Sequence, residues 1–283
     1  MGHSTFQTPP PELSVLAQRP EYVCLDWDGR RVCVEHRWVG RNEPERPLMV
    51  FLHEGLGSLS AWKEFPGRLC TALKCRGLVY SRPGYGRSTP RETGEQWGPD
   101  FMHRQADPVL PRFLEALGLD VSRDRPWLLG HSDGGSIALL YAALFPARVA
   151  GIIAVAPHLF VEDVAIESIR KARQAYLQSD LRLRLARHHD DPDSAFWGWN
   201  DIWLNPQFRA WSIEAELQGI VAPVLAVQGV DDEYGTLEQI RRLAVIVPHA
   251  QTLQIAGCGH SVQRDQPEIL IEAVATFMAS QPP

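Results

Sequence analysis

A serine, a histidine and one of two adjacent aspartates in this chain could relay a proton if folding brought them together. Ser132 lies in the run Gly130-His131-Ser132-Asp133-Gly134-Gly135, with a glycine two residues away on either side. Asp231 and Asp232 lie in Val230-Asp231-Asp232-Glu233-Tyr234-Gly235, and His260 lies in Cys258-Gly259-His260-Ser261. A serine hydroxyl is a weak nucleophile until a base takes its proton. The base in turn needs an acid that orients its ring and stabilises its cation. The chain offers these groups in the order serine, acid, histidine, and the chemistry they suit is acyl transfer to the serine followed by hydrolysis. A bare G-x-S-x-G string arises often by chance, so its weight rests on what surrounds it.

What surrounds it is an apolar run of strand type, residues 126–131, and a helical pattern over residues 133–145. A tight strand-to-helix turn demands small residues at 130 and 134 and lifts the hydroxyl toward the crevice at the carboxyl ends of the strands. It also aims the first N–H groups of the helix at the same space, where they can hold an anion. Further strand-type runs cover residues 48–53, 77–81, 149–157, 223–229 and 252–257, and helical patterns fall near 60–74, 100–118, 235–245 and 267–279. This alternation predicts an α/β fold, a mostly parallel sheet with helices on both faces. Two β-rich runs around Asp28-Gly29 predict an antiparallel hairpin at the amino-terminal side. Asp231 or Asp232 and His260 each follow a strand and so arrive at the same rim as Ser132. Residues 158–217 break the rhythm and read as several helices. The expected organisation is a core of residues 1–157 and 218–283 with a helical lid, 158–217, inserted in it.

The 283 residues are 45% hydrophobic and carry a formal net charge of −6, which fits one large globular domain and removes the basic face of a nucleic-acid binder. No apolar run is long enough to span a membrane, and the first residues show neither a leader pattern nor, with Phe6 in place of Ser or Thr, a myristoylation motif. A cytoplasmic protein with a small-molecule partner follows by default, and a homodimer is left open. Five cysteines with no C-x-x-C pair predict reduced, mostly buried thiols. No metal site and no organic cofactor are expected. His188, His189, Asp190 and Asp191 have metal-like types, but nothing completes a set and they read as an exposed lid loop. His53 and His131 read as structural, packed beside strand ends.

Taken together, the 52–58, 81–88, 130–135, 229–235 and 257–261 segments (Leu-His-Glu-Gly-Leu-Gly-Ser, Ser-Arg-Pro-Gly-Tyr-Gly-Arg-Ser, Gly-His-Ser-Asp-Gly-Gly, Gly-Val-Asp-Asp-Glu-Tyr-Gly and Gly-Cys-Gly-His-Ser) resemble the α/β-hydrolase superfamily over nearly the whole chain. That resemblance implies Ser132 as nucleophile, His260 as general base and Asp232, three residues after Gly229, as the acid, with Asp231 the runner-up. It implies an oxyanion hole from the backbone N–H groups of Asp133 and Gly55, with Leu56 as fallback. The family commonly reads His-Gly-x where this chain reads His53-Glu54-Gly55, so Glu54 is either a substrate contact or a solvated or arginine-paired acid. The Ser-Asp-Gly-Gly stretch is also similar to amino-acid-ester hydrolases resembling valacyclovir hydrolase, which implies an amine-binding role for Asp133. An acid in a first helical turn is equally what the helix dipole favours.

The lid segment carries Trp197, Trp199, Trp203 and Trp211, and Phe196, Trp199 and Trp203 share one helical face. Such a stripe packs on the core, roofs a pocket over Ser132, or does both. The resulting expectation is a serine esterase for a small apolar or aromatic carboxylic ester acting through an acyl-enzyme. The alternatives are a carbon–carbon bond hydrolase of ring-fission products, an aminoacyl-ester hydrolase, a lactonase, and a ligand-binding receptor that keeps the fold without turnover.

Overall fold

The computed structural model describes residues 20–41 and 43–281. The proline-rich first 19 residues, and with them the reading of Phe6, lie outside the described residues. Strands β1 (Glu21–Trp27) and β2 (Arg30–Gly40) form the expected hairpin, with Asp28 and Gly29 both at positive φ, as a two-residue turn of this kind requires. That turn fixes the register outward from Trp27↔Arg30, and Cys24 falls directly opposite Cys33. The two form a disulfide, which corrects the expectation of five thiols; Cys70, Cys75 and Cys258 remain free and buried.

The remaining strands are β3 (Leu48–Leu52), β4 (Arg76–Tyr80), β5 (Trp127–His131), β6 (Gly151–Val155), β7 (Val224–Gly229) and β8 (Gln251–Ile255). They give an eight-stranded sheet ordered β1-β2-β4-β3-β5-β6-β7-β8, parallel from β4 to β8. The central strands are apolar at nearly every position because helices cover both faces. In β3, Leu48, Val50 and Leu52 point into one core while Met49 and Phe51 point into the other. One face carries α1 (Phe65–Leu73) and the carboxyl-terminal helices.

On the other face lie α2 (Phe101–Arg104), α3 (Leu110–Ala116), the short α4 (Val121–Asp124) and α5 (Asp133–Leu144). The single helix expected near 100–118 is interrupted at Gln105–Val109. Pro108 has no N–H to donate and pushes Asp107 to extended backbone, φ −151° and ψ 121°. Between β6 and β7 the chain adds α6 (Asp163–Gln178), α7 (Leu181–Leu185) and α8 (Pro192–Trp203), followed by two 3-10 turns. After β7 come α9 (Glu238–Ile246), then β8, α10 (Val262–Asp265) and α11 (Pro267–Ala279). Among the described residues no helix is long and apolar enough to cross a membrane.

Candidate active site

The turn from β5 into α5 holds Ser132 at φ 54° and ψ −121°, a strained conformation for a residue with a side chain. Its neighbours explain how the strain is held. A Cβ on Gly130 would sit 2.1 Å from the carbonyl oxygen of Gly134, and one on Gly134 would sit 2.1 Å from that of Leu52. Only glycine permits so close a crossing of strand and helix. The Ser132 N–H donates to the Val155 carbonyl at 2.8 Å, which ties the turn to β6.

His260 reaches the same rim from the loop after β8. Its Nδ1 is 2.9 and 3.0 Å from the two carboxylate oxygens of Asp232. Asp232 also accepts from the Tyr234 and Gly235 amides and the Gln228 side chain. Burial alone would raise its carboxyl, but the His260 hydrogen bond and charge and the Tyr234 amide outweigh burial and lower it. Asp231 is exposed and meets the loop only through its backbone N–H, which donates to Cys258. Ser132 and His260 line one cavity of about 220 Å³ without a direct hydrogen bond between them. Such contacts are often long before substrate arrives. A larger groove of about 580 Å³, between α1 and the β2–β4 face, holds neither a serine nor a histidine.

The turn after β3 closes through the Gly57 N–H on the Glu54 carbonyl, 3.1 Å away. The Gly55 and Leu56 amides at its centre, and the Asp133 amide opening α5, donate to no partner among the described residues. The Glu54 carbonyl is pinned from the core by His53 Nδ1–H at 2.7 Å and Arg82 Nη2–H at 3.0 Å. In a planar peptide the N–H of Gly55 points opposite to that carbonyl. The Glu54 side chain faces His131, 3.5 Å away, rather than an arginine. Burial would raise its carboxyl, but His131 and then His53 hold it down at about 2. His131 donates Nε2–H to the His260 carbonyl at 2.9 Å, with its Nδ1 2.9 Å from the Gln263 side-chain amide, so the residue before Ser132 also fixes the backbone of His260.

Asp133 is fully enclosed, 3.7 Å from the equally buried Arg82 guanidinium. Burial pushes its carboxyl up to about 6 against the pull of Arg82. Trp199 and Trp203 line the cavity together with Ile169 of α6. Phe196, expected beside them, does not. It is fully buried and stacks on Tyr176 of α6 at 3.7 Å between ring centres. Seven residues of helix separate it from Trp203, about 10 Å along the axis, so sharing a face does not mean sharing a pocket.

The structure also brings in residues the sequence reading passed over. His158, three residues after β6, is buried in the cavity wall, 4.9 Å from the Trp203 ring and 5.9 Å from the His260 ring between centres. Burial and the neighbouring His260 charge lower it to about 3. Its place at the carboxyl end of a parallel strand was the available signal. Tyr234 packs on His260 at 4.8 Å. His189, read as part of an exposed loop, is only 3% exposed. Its ring spans two core loops, an arrangement that no local pattern announces.

The profile described as "Alpha/beta hydrolase family" matches residues 49–273. This chain belongs to the alpha/beta hydrolase family. Among its curated relatives is a 2-hydroxy-6-oxo-6-phenylhexa-2,4-dienoate hydrolase of Burkholderia cepacia, 24% identical over 82% of this chain and 87% of that one. Another is an esterase of Mycobacterium tuberculosis, 23% identical over 84% of this chain and 83% of the esterase. Among solved structures, a thermophilic esterase from Thermogutta terrifontis superposes with a TM-score of 0.69 at 18% identity, covering 93% of this chain and 98% of its own. That likeness concerns the fold.

Proposed function

We propose that this protein is a serine hydrolase that cleaves a small apolar or aromatic carboxylic ester through an acyl-enzyme. The observation that carries the reading is the Asp232–His260 pair opening onto the same small cavity as a strained Ser132. In this reading His260 takes the Ser132 proton as the oxygen attacks the ester carbonyl, and Asp232 holds the imidazolium that forms. The amides of Gly55 and Asp133 receive the oxyanion. The protonated His260 then gives its proton to the leaving alcohol. Water, deprotonated by the same base, releases the acid and regenerates the hydroxyl. α6 to α8 act as the lid, with Trp199, Trp203 and Ile169 roofing the acyl site. The cavity of about 220 Å³ favours a small acyl group.

A second reading, hydrolysis of a carbon–carbon bond in a ring-fission product, is favoured by the dienoate hydrolases among the curated relatives. A panel of p-nitrophenyl esters and dienol substrates, run with the wild type and Ser132→Ala, separates the two. Ester turnover that Ser132→Ala lowers by several orders of magnitude supports the esterase reading. Turnover of dienols alone supports the second, and wild-type ester cleavage by Ser132→Ala overturns both.

A further inference from the structure

The turn Glu54–Gly57 keeps its Gly55 and Leu56 amides aimed at the cavity when its two ends are held, the Glu54 carbonyl at one and the Leu56 carbonyl at the other. Glu54 is held from the core, by His53 and Arg82. Leu56 is held from elsewhere: its carbonyl accepts from His189 Nε2 at 3.0 Å. The other nitrogen of that ring, Nδ1, accepts the Gly86 N–H at 2.9 Å. A backbone N–H can only donate, so Nδ1 must carry no proton and Nε2 must carry one. Both hydrogen bonds therefore fix one neutral tautomer with no freedom left.

His189 belongs to the connection between α7 and α8, inside the inserted segment. The flanking residues fasten the same connection: Asp190 N–H donates to the Gly86 carbonyl at 2.9 Å, and His188 Nδ1 lies 2.8 Å from the Ser60 hydroxyl. The His188 and Asp190 contacts reach the core without touching the oxyanion turn; of these three neighbours His189 alone hydrogen-bonds to it. Other ties hold the segment to the core independently, among them Arg91 N–H to the Ser194 hydroxyl at 3.0 Å and the Ser168 hydroxyl to the Glu233 carbonyl at 2.6 Å. The loss of His189 thus need not release the helices.

We propose that His189 is a positioning residue: from the inserted segment it holds the turn whose amides receive the oxyanion, so that acyl transfer depends on that segment being seated. The proposal rests on the serine-hydrolase reading of the site. It makes the segment part of the electrostatic machinery as well as a roof, because a turn displaced by a fraction of an ångström no longer points its N–H groups where charge develops.

Three variants and one control test it with p-nitrophenyl butyrate and a fluorophosphonate probe. His189→Ala removes both hydrogen bonds, and kcat and the labelling rate are expected to fall about 10- to 100-fold with KM little changed, because oxyanion contacts act in the transition state. His189→Gln offers one acceptor and one donor and is expected to recover most of the loss. Should His189→Ala fail to fold, His189→Asn keeps an acceptor for Gly86, falls short of Leu56, and is expected to share the kcat defect. Ser60→Ala, which removes the neighbouring His188 contact, is expected to keep wild-type kcat. Wild-type kcat and labelling in folded His189→Ala or His189→Asn would overturn the proposal, as would an equal defect in Ser60→Ala. If the wild type neither cleaves esters nor labels, the hydrolase reading itself fails. The hold on the turn is then judged by amide hydrogen exchange over residues 54–60. Faster exchange in His189→Ala supports it, and unchanged exchange overturns it.

Discussion

The indole of Trp199 occupies the space that any side chain at position 55 would need. A Cβ built on Gly55 would lie 2.2 Å from both Cδ1 and Nε1 of that ring. The helix α8 therefore closes directly over the turn that offers the free Gly55 amide, and the glycine there serves close packing. Gly55→Ala is expected to lower kcat/KM by at least about tenfold by pushing turn and indole apart. Because the two residues share one volume, adding Trp199→Ala should recover part of that loss. Steady-state kinetics of the two single variants and the double variant check this; strictly additive losses would refute the shared-volume account.

Asp232 and Asp231 are adjacent in sequence and opposite in setting. Asp232→Asn keeps the shape but removes the charge beside His260 Nδ1, and kcat is expected to fall by about 10⁴-fold. Asp231→Asn changes an exposed side chain and should stay near wild type. Parallel kinetics with a single activated ester give the comparison, and equal losses would show that the acid has been misassigned.

Stability should decline with acid before most carboxylates titrate, with Asp133, raised to about 6, offsetting only part of the slope. His158 is lowered to about 3 and His53 well below its ordinary value, both chiefly by burial. In the unfolded chain both return to about 6.5, so below that pH the unfolded state binds more protons. The stability these neutral rings contribute is whole above pH ~6.5 and is lost as the pH falls toward their folded values. For His158 the full loss is on the order of 3–5 kcal/mol. Urea unfolding between pH 7.5 and 5 should show the slope, and His158→Phe should flatten it.

Arg82 and Asp133 form a buried pair whose halves need each other. Arg82→Met strips the cation from an enclosed carboxylate and one donor from the Glu54 carbonyl, at an expected cost of about 3–5 kcal/mol. Combining it with Asp133→Leu removes the orphaned charge and should recover much of that stability. The readout is the urea midpoint of each variant. A double variant less stable than Arg82→Met alone would contradict the pairing.

Much of the architecture was legible because it is written locally. Buried parallel strands must be apolar at nearly every position, so Leu48–Leu52, Trp127–His131 and Val224–Gly229 stand out as runs. The sharp turn at Ser132 needs glycine on both sides, and Asp28-Gly29 needs positive φ twice. The Cys24–Cys33 pairing was also within reach, since a two-residue turn fixes which residues face each other across the hairpin.

By itself, the sequence determined the order of elements and delivered Ser132, Asp232 and His260 to the ends of strands, because strand periodicity and turn chemistry depend on near neighbours. Only the tertiary structure decided which of two adjacent aspartates meets the imidazole, that Phe196 turns from the cavity to Tyr176, and that His189 crosses from one segment to hold the carbonyl of Leu56. Those outcomes depend on volumes and hydrogen-bond partners contributed by residues far away along the chain, and no stretch of neighbours carries that information.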